Sequence, residues 1–251
     1  PPLLDAQIVL AEDRAARDRL PRHDHAAEAR DLDPHRNGRR HQAVLHLGVD
    51  VLDALQRRDR VLQLAGHVVF QLAGRRAGHL RGVGECHRGL SGGAPPFARF
   101  LFLVTAVGEG YGGLEHRASA SLLCRRDDLP QPGEESVGEG YRTFLGLASH
   151  EYFHAWLVKR IRPAAFTPYD LTREQYTTLL WAFEGVTSYY DDLALARAGV
   201  IEASDYLQLL GETATRVWRT PGRFRQTLAE SSLAAWIKFY RPDENTPNAV
   251  V

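Results

Sequence analysis

The stretch His150-Glu151-Tyr152-Phe153-His154 is a complete H-E-x-x-H. It lies late in a run whose apolar spacing (Phe144, Leu147, Ala148, Tyr152, Ala155) predicts a helix over 141–158. Residues four apart on a helix stand one above the other on the same face. His150 and His154 can therefore aim two imidazoles at one ion, with the Glu151 carboxylate beside them. Two neutral nitrogen ligands and a base next to the water that the metal activates are what a catalytic zinc requires. So short a pattern also arises by chance, as two histidines on a helix surface, so the flanking sequence has to separate the two readings.

Downstream, Lys159-Arg160-Ile161-Arg162-Pro163 predicts the helix end: cations at the negative end of the dipole, then a proline stop. Thr172 followed by Gln175 matches a capping box and predicts a second helix from there to Ala198, with Gly199 as its C-cap. Residues 178–184 (TLLWAFE) are apolar nearly all round, which predicts burial. Glu184 interrupts that run. A buried carboxylate without a partner is costly, and a bound cation would remove the cost. Glu184 is thus the candidate third ligand for a zinc that keeps one position for water; the plainer alternative is a buried Glu paired with an arginine. Each ligating histidine also needs an acceptor for its far nitrogen. Thr187, Ser188, Asp191 and Asp192 all follow closely, and the sequence does not choose among them. Further helices are predicted over 203–218 and 225–240.

Upstream, Phe97 to Val107 (FARFLFLVTAV) reads as a buried strand, and residues 118–124 as a second short one. Between them Gly108 to Gly113 forms a glycine-rich turn leading into Leu114-Glu115-His116. Residues 125–137 hold Pro130, Pro132 and Gly133 and read as a surface loop. Gly92-Gly93-Ala94-Pro95-Pro96 marks a break, and the texture before it differs. Residues 1–95 hold 8 of the 11 histidines but one of the 23 aromatics, Phe70, and no lysine precedes Lys159. A core needs large side chains. This segment reads as a poorly ordered arm, a divergent domain, or sequence that is not natural coding, and the third is slightly favoured. Its histidines, such as His23 with His25 and His35 with His41, show no ligand spacing and read as solvated surface.

The 251 residues allow one large domain or two small ones. Zero formal net charge gives no case for nucleic acid or an acidic membrane. The Arg- and His-rich segment also carries Asp24, Glu28, Asp31 and Asp33, with almost no aromatics to stack on bases. No apolar run approaches the roughly 18–20 residues of a membrane span. Two cysteines, Cys86 and Cys124, fit neither a disulfide framework nor a cysteine zinc site. Pro1 to Asp5 is not a signal peptide, and the lack of any methionine suggests a fragment. The compartment, cytoplasmic or periplasmic, stays open.

Five runs resemble the glycyl aminopeptidase family of gluzincin metallopeptidases, whose members often carry a PDZ domain: YGGLEHRAS (111–119), SHEYFHAWLVKRIRP (149–163), PYDL (168–171), LLWAFEGVTSYYDDL (179–193) and AESSLAAWIKFYRPDEN (229–245). The resemblance covers the last three-fifths of the chain, and the order of these runs makes them far more specific than H-E-x-x-H alone. The first 95 residues do not resemble the family's β-rich N-terminal region. The resemblance implies zinc held by His150, His154 and Glu184, with Glu151 as general base. It also implies that Gly113 and Glu115 belong to an edge strand that holds substrate. There the glutamate binds the free α-amino group and the backbone contacts the peptide. Leu157 stands where the family pattern has an asparagine, and Leu233-Ala234 where it has Phe-Asp. The pattern continues past Val251 with a serine-tyrosine-tyrosine, one tyrosine of which would donate to the oxyanion. Loss of one such donor typically costs about 100- to 1,000-fold in rate.

The resulting expectation is an α+β, zincin-like (gluzincin) catalytic domain over 96–251, mainly helical after an edge-strand region and truncated at its C-terminus. It is preceded by a segment of uncertain order over 1–95. The expected activity is zinc-dependent removal of small N-terminal residues (Gly or Ala) from peptide substrates, with Zn2+ as cofactor and neither nucleic acid nor membrane as partner. An endopeptidase using the same site and a catalytically impaired peptide-binding fragment are the alternatives.

Overall fold

The computed structural model describes residues 6–12, 75–130, 134, 136–170 and 172–239. The expectations for His23, His25, His35, His41 and the apolar runs between 61 and 72 lie outside the described residues, as does the tail from Tyr240. Within them the chain forms β1 (Ala6–Glu12), α1 (Arg75–Leu90), β2 (Phe100–Val107), β3 (Gly112–Glu115), β4 (Ser119–Arg125), α2 (Glu139–Phe153), α3 (Leu180–Arg197), α4 (Ala203–Arg219) and α5 (Leu228–Ala234). The architecture is mixed: a small sheet with helices packed on it.

The sheet order is β1-β2-β4-β3. β2 runs parallel to both β1 and β4, while β3 pairs antiparallel with β4 through Gly112↔Leu123 to Glu115↔Ala120. β3 is therefore an edge, as the motif around Glu115 led us to expect. The β-branched and aromatic run at 100–107 is buried nearly throughout, as a strand paired on both sides requires. Phe100, Phe102, Val104 and Ala106 alternate onto one face of β2, and Ala120, Leu122 and Cys124 onto the same face of β4. Against this face pack Tyr141, Phe144, Leu145, Ala148 and Tyr152 of α2, spaced at three, four and seven residues. Ala194 and Leu195 of α3 close the core.

α1 comes from the stretch that composition sets apart, yet Leu80 and Val83 join the same core. Gly84 lets α1 approach α2 closely: a Cβ there would meet the Tyr152 hydroxyl at 3.3 Å. His87 is fully buried, which corrects the surface reading for this one histidine. Its ring packs on Phe153 with centroids 5.0 Å apart.

Several helix boundaries differ from the sequence reading. α2 stops at Phe153, with His154 as its C-cap, instead of running to Val158. The backbone tightens into 3-10-type bonds (Ala155 N–H to Tyr152 O, Trp156 N–H to Phe153 O), and the His154 ring donates to the Leu157 carbonyl at 2.8 Å. Val158 then takes φ 116°, a rare and strained value for a β-branched residue, and turns the chain away.

α3 starts at Leu180, not Thr172. Thr172 caps no helix; its amide and hydroxyl both donate to Asp170 Oδ1 in an Asx-type turn that competes with helix. The C-terminal end is as expected: Gly199 has φ 66°, and the Val200 amide reaches back to the Leu195 carbonyl. The predicted all-round burial of 178–184 does not hold. Only Phe183, Thr187, Ala194 and Leu195 of α3 are buried, while Trp181, Val186 and Tyr189 face outward. α5 begins three residues later than read, capped by Thr227 with Glu230, and ends in a π-helical turn over Ala235–Phe239.

Candidate metal centre

The core stripe of α2 faces the sheet, which leaves His150 and His154 on another flank of the same helix, toward α3. α3 presents Glu184 and Asp191, seven residues apart and so on one face. The three expected ligands converge. His150 Nε2 lies 3.1 Å from His154 Nε2 and 3.2 Å from Glu184 Oε2, and His154 Nε2 lies 3.4 Å from the same oxygen. Among the described residues this is the group of three His, Cys, Asp or Glu side chains with ligand atoms close enough to share an ion.

The outer nitrogens fix what those atoms are. His154 Nδ1 meets the Leu157 carbonyl at 2.8 Å, and a carbonyl has no proton to give, so Nδ1 carries the hydrogen. His150 Nδ1 donates to Asp191 Oδ2 at 3.0 Å. Both Nε2 atoms, when the rings are neutral, therefore present lone pairs to each other and to a carboxylate oxygen. Such an arrangement is repulsive unless a proton or a metal ion sits between them. Ligand atoms about 2.0–2.1 Å from a tetrahedral zinc stand roughly 3.3 Å apart, so the observed triangle fits that ion.

The electrostatics point the same way. Burial opposes charge on His150, but its bonds to Asp191 and Glu184 overcome this and raise its pKa to about 10. Burial would also raise Glu184, yet the two histidines hold it well below the usual carboxylate range. A cluster that draws protons this strongly draws a divalent cation, which displaces them. The Glu184 side chain is nonetheless 45% exposed. The burial expected of Glu184 is therefore not met, although its carboxylate is one of three side chains whose ligand atoms lie close enough to share an ion.

Glu151 is 5% exposed, and its Oε2 has no hydrogen-bond partner among the described residues. Burial raises its pKa to about 7, against the lowering effect of the two histidines. An unsatisfied buried carboxylate oxygen beside the ligand triangle suits a proton acceptor. Gly113 borders it: a Cβ there would fall inside the Glu151 carboxylate. Edge strand β3 thus lies directly over the proposed base. Glu115, on the same strand, is held by Lys159 Nζ at 2.9 Å. The sequence reading did not include that lysine.

Of the four candidates for a far-nitrogen acceptor, the structure selects Asp191. Thr187 instead turns its hydroxyl to the Phe183 carbonyl. The second acceptor, the Leu157 carbonyl, is backbone, so leucine in place of the family's asparagine leaves that contact intact.

Residues 143–251 match the family model of the M61 glycyl aminopeptidases. Over that stretch, which contains all three candidate ligands, the family resemblance read from the sequence is shown. The chain is also similar to the crystal structure of an aminopeptidase N family protein from Idiomarina loihiensis, at 42% identity and a TM-score of 0.69. The similarity covers 77% of this chain and 34% of that one, so the chain spans about a third of that protein's length. Residues 97–251 are only about three-fifths of the sequence, so a match of that extent reaches back before Phe97. No curated protein matches the chain.

Proposed function

We propose that this chain is the metal-bearing part of a zinc aminopeptidase with a gluzincin-type site. The observation that carries the reading is the triangle of His150 Nε2, His154 Nε2 and Glu184 Oε2, with sides of 3.1–3.4 Å. When bound, zinc supplies the Lewis acidity that activates a water and polarises a peptide carbonyl. Glu151 is placed to accept a proton from a water in the site and to return it to a leaving amine, a role that suits its raised pKa. Asp191 and the Leu157 carbonyl hold the two rings in the tautomer that leaves Nε2 free to ligate. β3 offers an open strand edge to an extended peptide, with the substrate's α-ammonium at Glu115. Gly113 keeps the path between edge and base clear. Peptides with small N-terminal residues, glycine or alanine, are the proposed substrates; the family's description as glycyl aminopeptidases supports the glycine part.

The Glu115–Lys159 pair gives weight to a second reading, an endopeptidase, because the carboxylate already has a cationic partner. Two measurements test the proposal. Elemental analysis after refolding with zinc should give close to one ion per chain, and its absence would remove both peptidase readings. Acylating the substrate's amine should abolish cleavage by an aminopeptidase; undiminished cleavage selects the endopeptidase.

A further inference from the structure

His87 lies on α1, outside the stretch matched to the family, and its side chain reaches the back of the metal centre. Its Nε2 is 2.8 Å from Ser149 Oγ, and Ser149 Oγ is 2.8 Å from the Asp191 carbonyl. The carbonyl can only accept, so the single Ser149 proton goes to Asp191, and His87 must donate to Ser149. The direction of the relay is thereby fixed: His87 N–H to Ser149 O–H to Asp191 C=O. Asp191 is the residue whose carboxylate takes the His150 Nδ1 proton, and Ser149 immediately precedes His150. His87 and Ser149 are both fully buried.

We infer that His87, through Ser149, is a positioning residue for the metal centre: it clamps α3 to α2 at Asp191 and so fixes the orientation of the His150 ring. The inference rests on the zinc reading above. Two further observations support it. Burial lowers the His87 pKa to about 3, so its ring is neutral and brings no competing charge. Its Nδ1 is buried without a partner among the described residues, so only one ring nitrogen is bonded. An apolar side chain of similar size would fill the same space without that unsatisfied atom. The bond from Nε2 is what such a side chain would lose.

The test is the zinc dissociation constant of the full chain, measured by chelator competition, which does not depend on turnover. Outer partners of metal-ligating histidines typically affect affinity by about 10- to 100-fold. His87→Leu and Ser149→Ala should each weaken zinc binding by about tenfold, the lower end of that range, because they act through Asp191. His87→Gln, which keeps a donor at the ε position, should stay within about threefold of the parent. On an Asp191→Ala background, His87→Leu should have no further effect, because the group being oriented is gone. Parental affinity in both His87→Leu and Ser149→Ala would overturn the inference. So would an unchanged penalty on the Asp191→Ala background, which would mark His87 as general packing. If the parent itself takes up no zinc, the metal-site reading fails first, and this inference falls with it.

Discussion

The Glu151 carboxylate lies against the backbone of Gly113, in the space that any other residue's Cβ would need. Glycine at 113 is therefore set by the base on α2 and not by the turn before it; among the glycines with φ above zero are Gly92, Gly110 and Gly199, not Gly113. Gly113→Ala must push the Glu151 side chain aside. A displacement of about 1 Å at a reacting group can cost about 100-fold. We expect kcat/KM to fall by about that factor, with zinc content unchanged. Activity at the parental level would show that Glu151 does not act from this position.

Glu151→Gln removes the proton acceptor and leaves the three ligands alone. Zinc should remain at the parental stoichiometry while kcat falls by about 100- to 10,000-fold, the usual range for a lost general base. Steady-state kinetics alongside elemental analysis separate the two effects. A variant with normal turnover would assign the base elsewhere.

Glu184→Gln and Asp191→Ala should act in the opposite sense, on the ion and not on the proton. Glu184 touches both Nε2 atoms, and its neutral amide is a poor ligand for zinc. Asp191 sits one bond further out, so its removal should weaken binding by about 10- to 100-fold, less than loss of the ligand itself. Chelator competition orders the three proteins. Parental affinity in Glu184→Gln would mean that the third ligand lies elsewhere.

How far these assignments were legible depends on whether each contact is local in sequence. The H-E-x-x-H spacing and the C-cap at Gly199 follow from periodicity and backbone chemistry, the edge strand at Glu115 only from the family resemblance, and all three appear in the fold. The end of α2 does not follow from propensity, because it is set by the His154 ring reaching for the Leu157 carbonyl. The start of α3 was misplaced because Asp170 captures Thr172 in a turn that resembles a capping box on paper. Glu184 was reached by a faulty route. Apolar composition at 178–184 implied burial, but Leu179 and Trp181 are exposed. His87 lies 62 residues from Ser149, and no pattern in its own neighbourhood marks it.

Zinc that ties α2 to α3 should also stabilise the fold. A ligand at 100 times its dissociation constant adds about 2.7 kcal/mol, and for a chain of this size each kcal/mol moves Tm by about 2–4 °C. Chelation should therefore lower Tm by roughly 5–10 °C. Glu184→Gln should already melt near the chelated value and respond little to chelator. Calorimetry on both proteins checks this, and an equal response in the two would place the stabilising ion at another site.

Lys159 and Glu115 form a partly exposed pair, with side chains 20% and 23% accessible. If the substrate's α-ammonium is to use Glu115, it must share or displace the lysine. An ion pair this accessible contributes about 0–1 kcal/mol, so its removal should change binding only modestly. Lys159→Met should lower KM for a free-amine peptide by up to about fivefold and leave unchanged the inhibition constant of the same peptide acylated at its amine, measured as a competitor. Glu115→Ala should raise KM for the free amine alone. Equal effects on the two peptides would show that Glu115 does not read the amino terminus and would favour internal cleavage. The two peptides would meet β3 with the same backbone and differ only in the one charge that Lys159 and the substrate would contest.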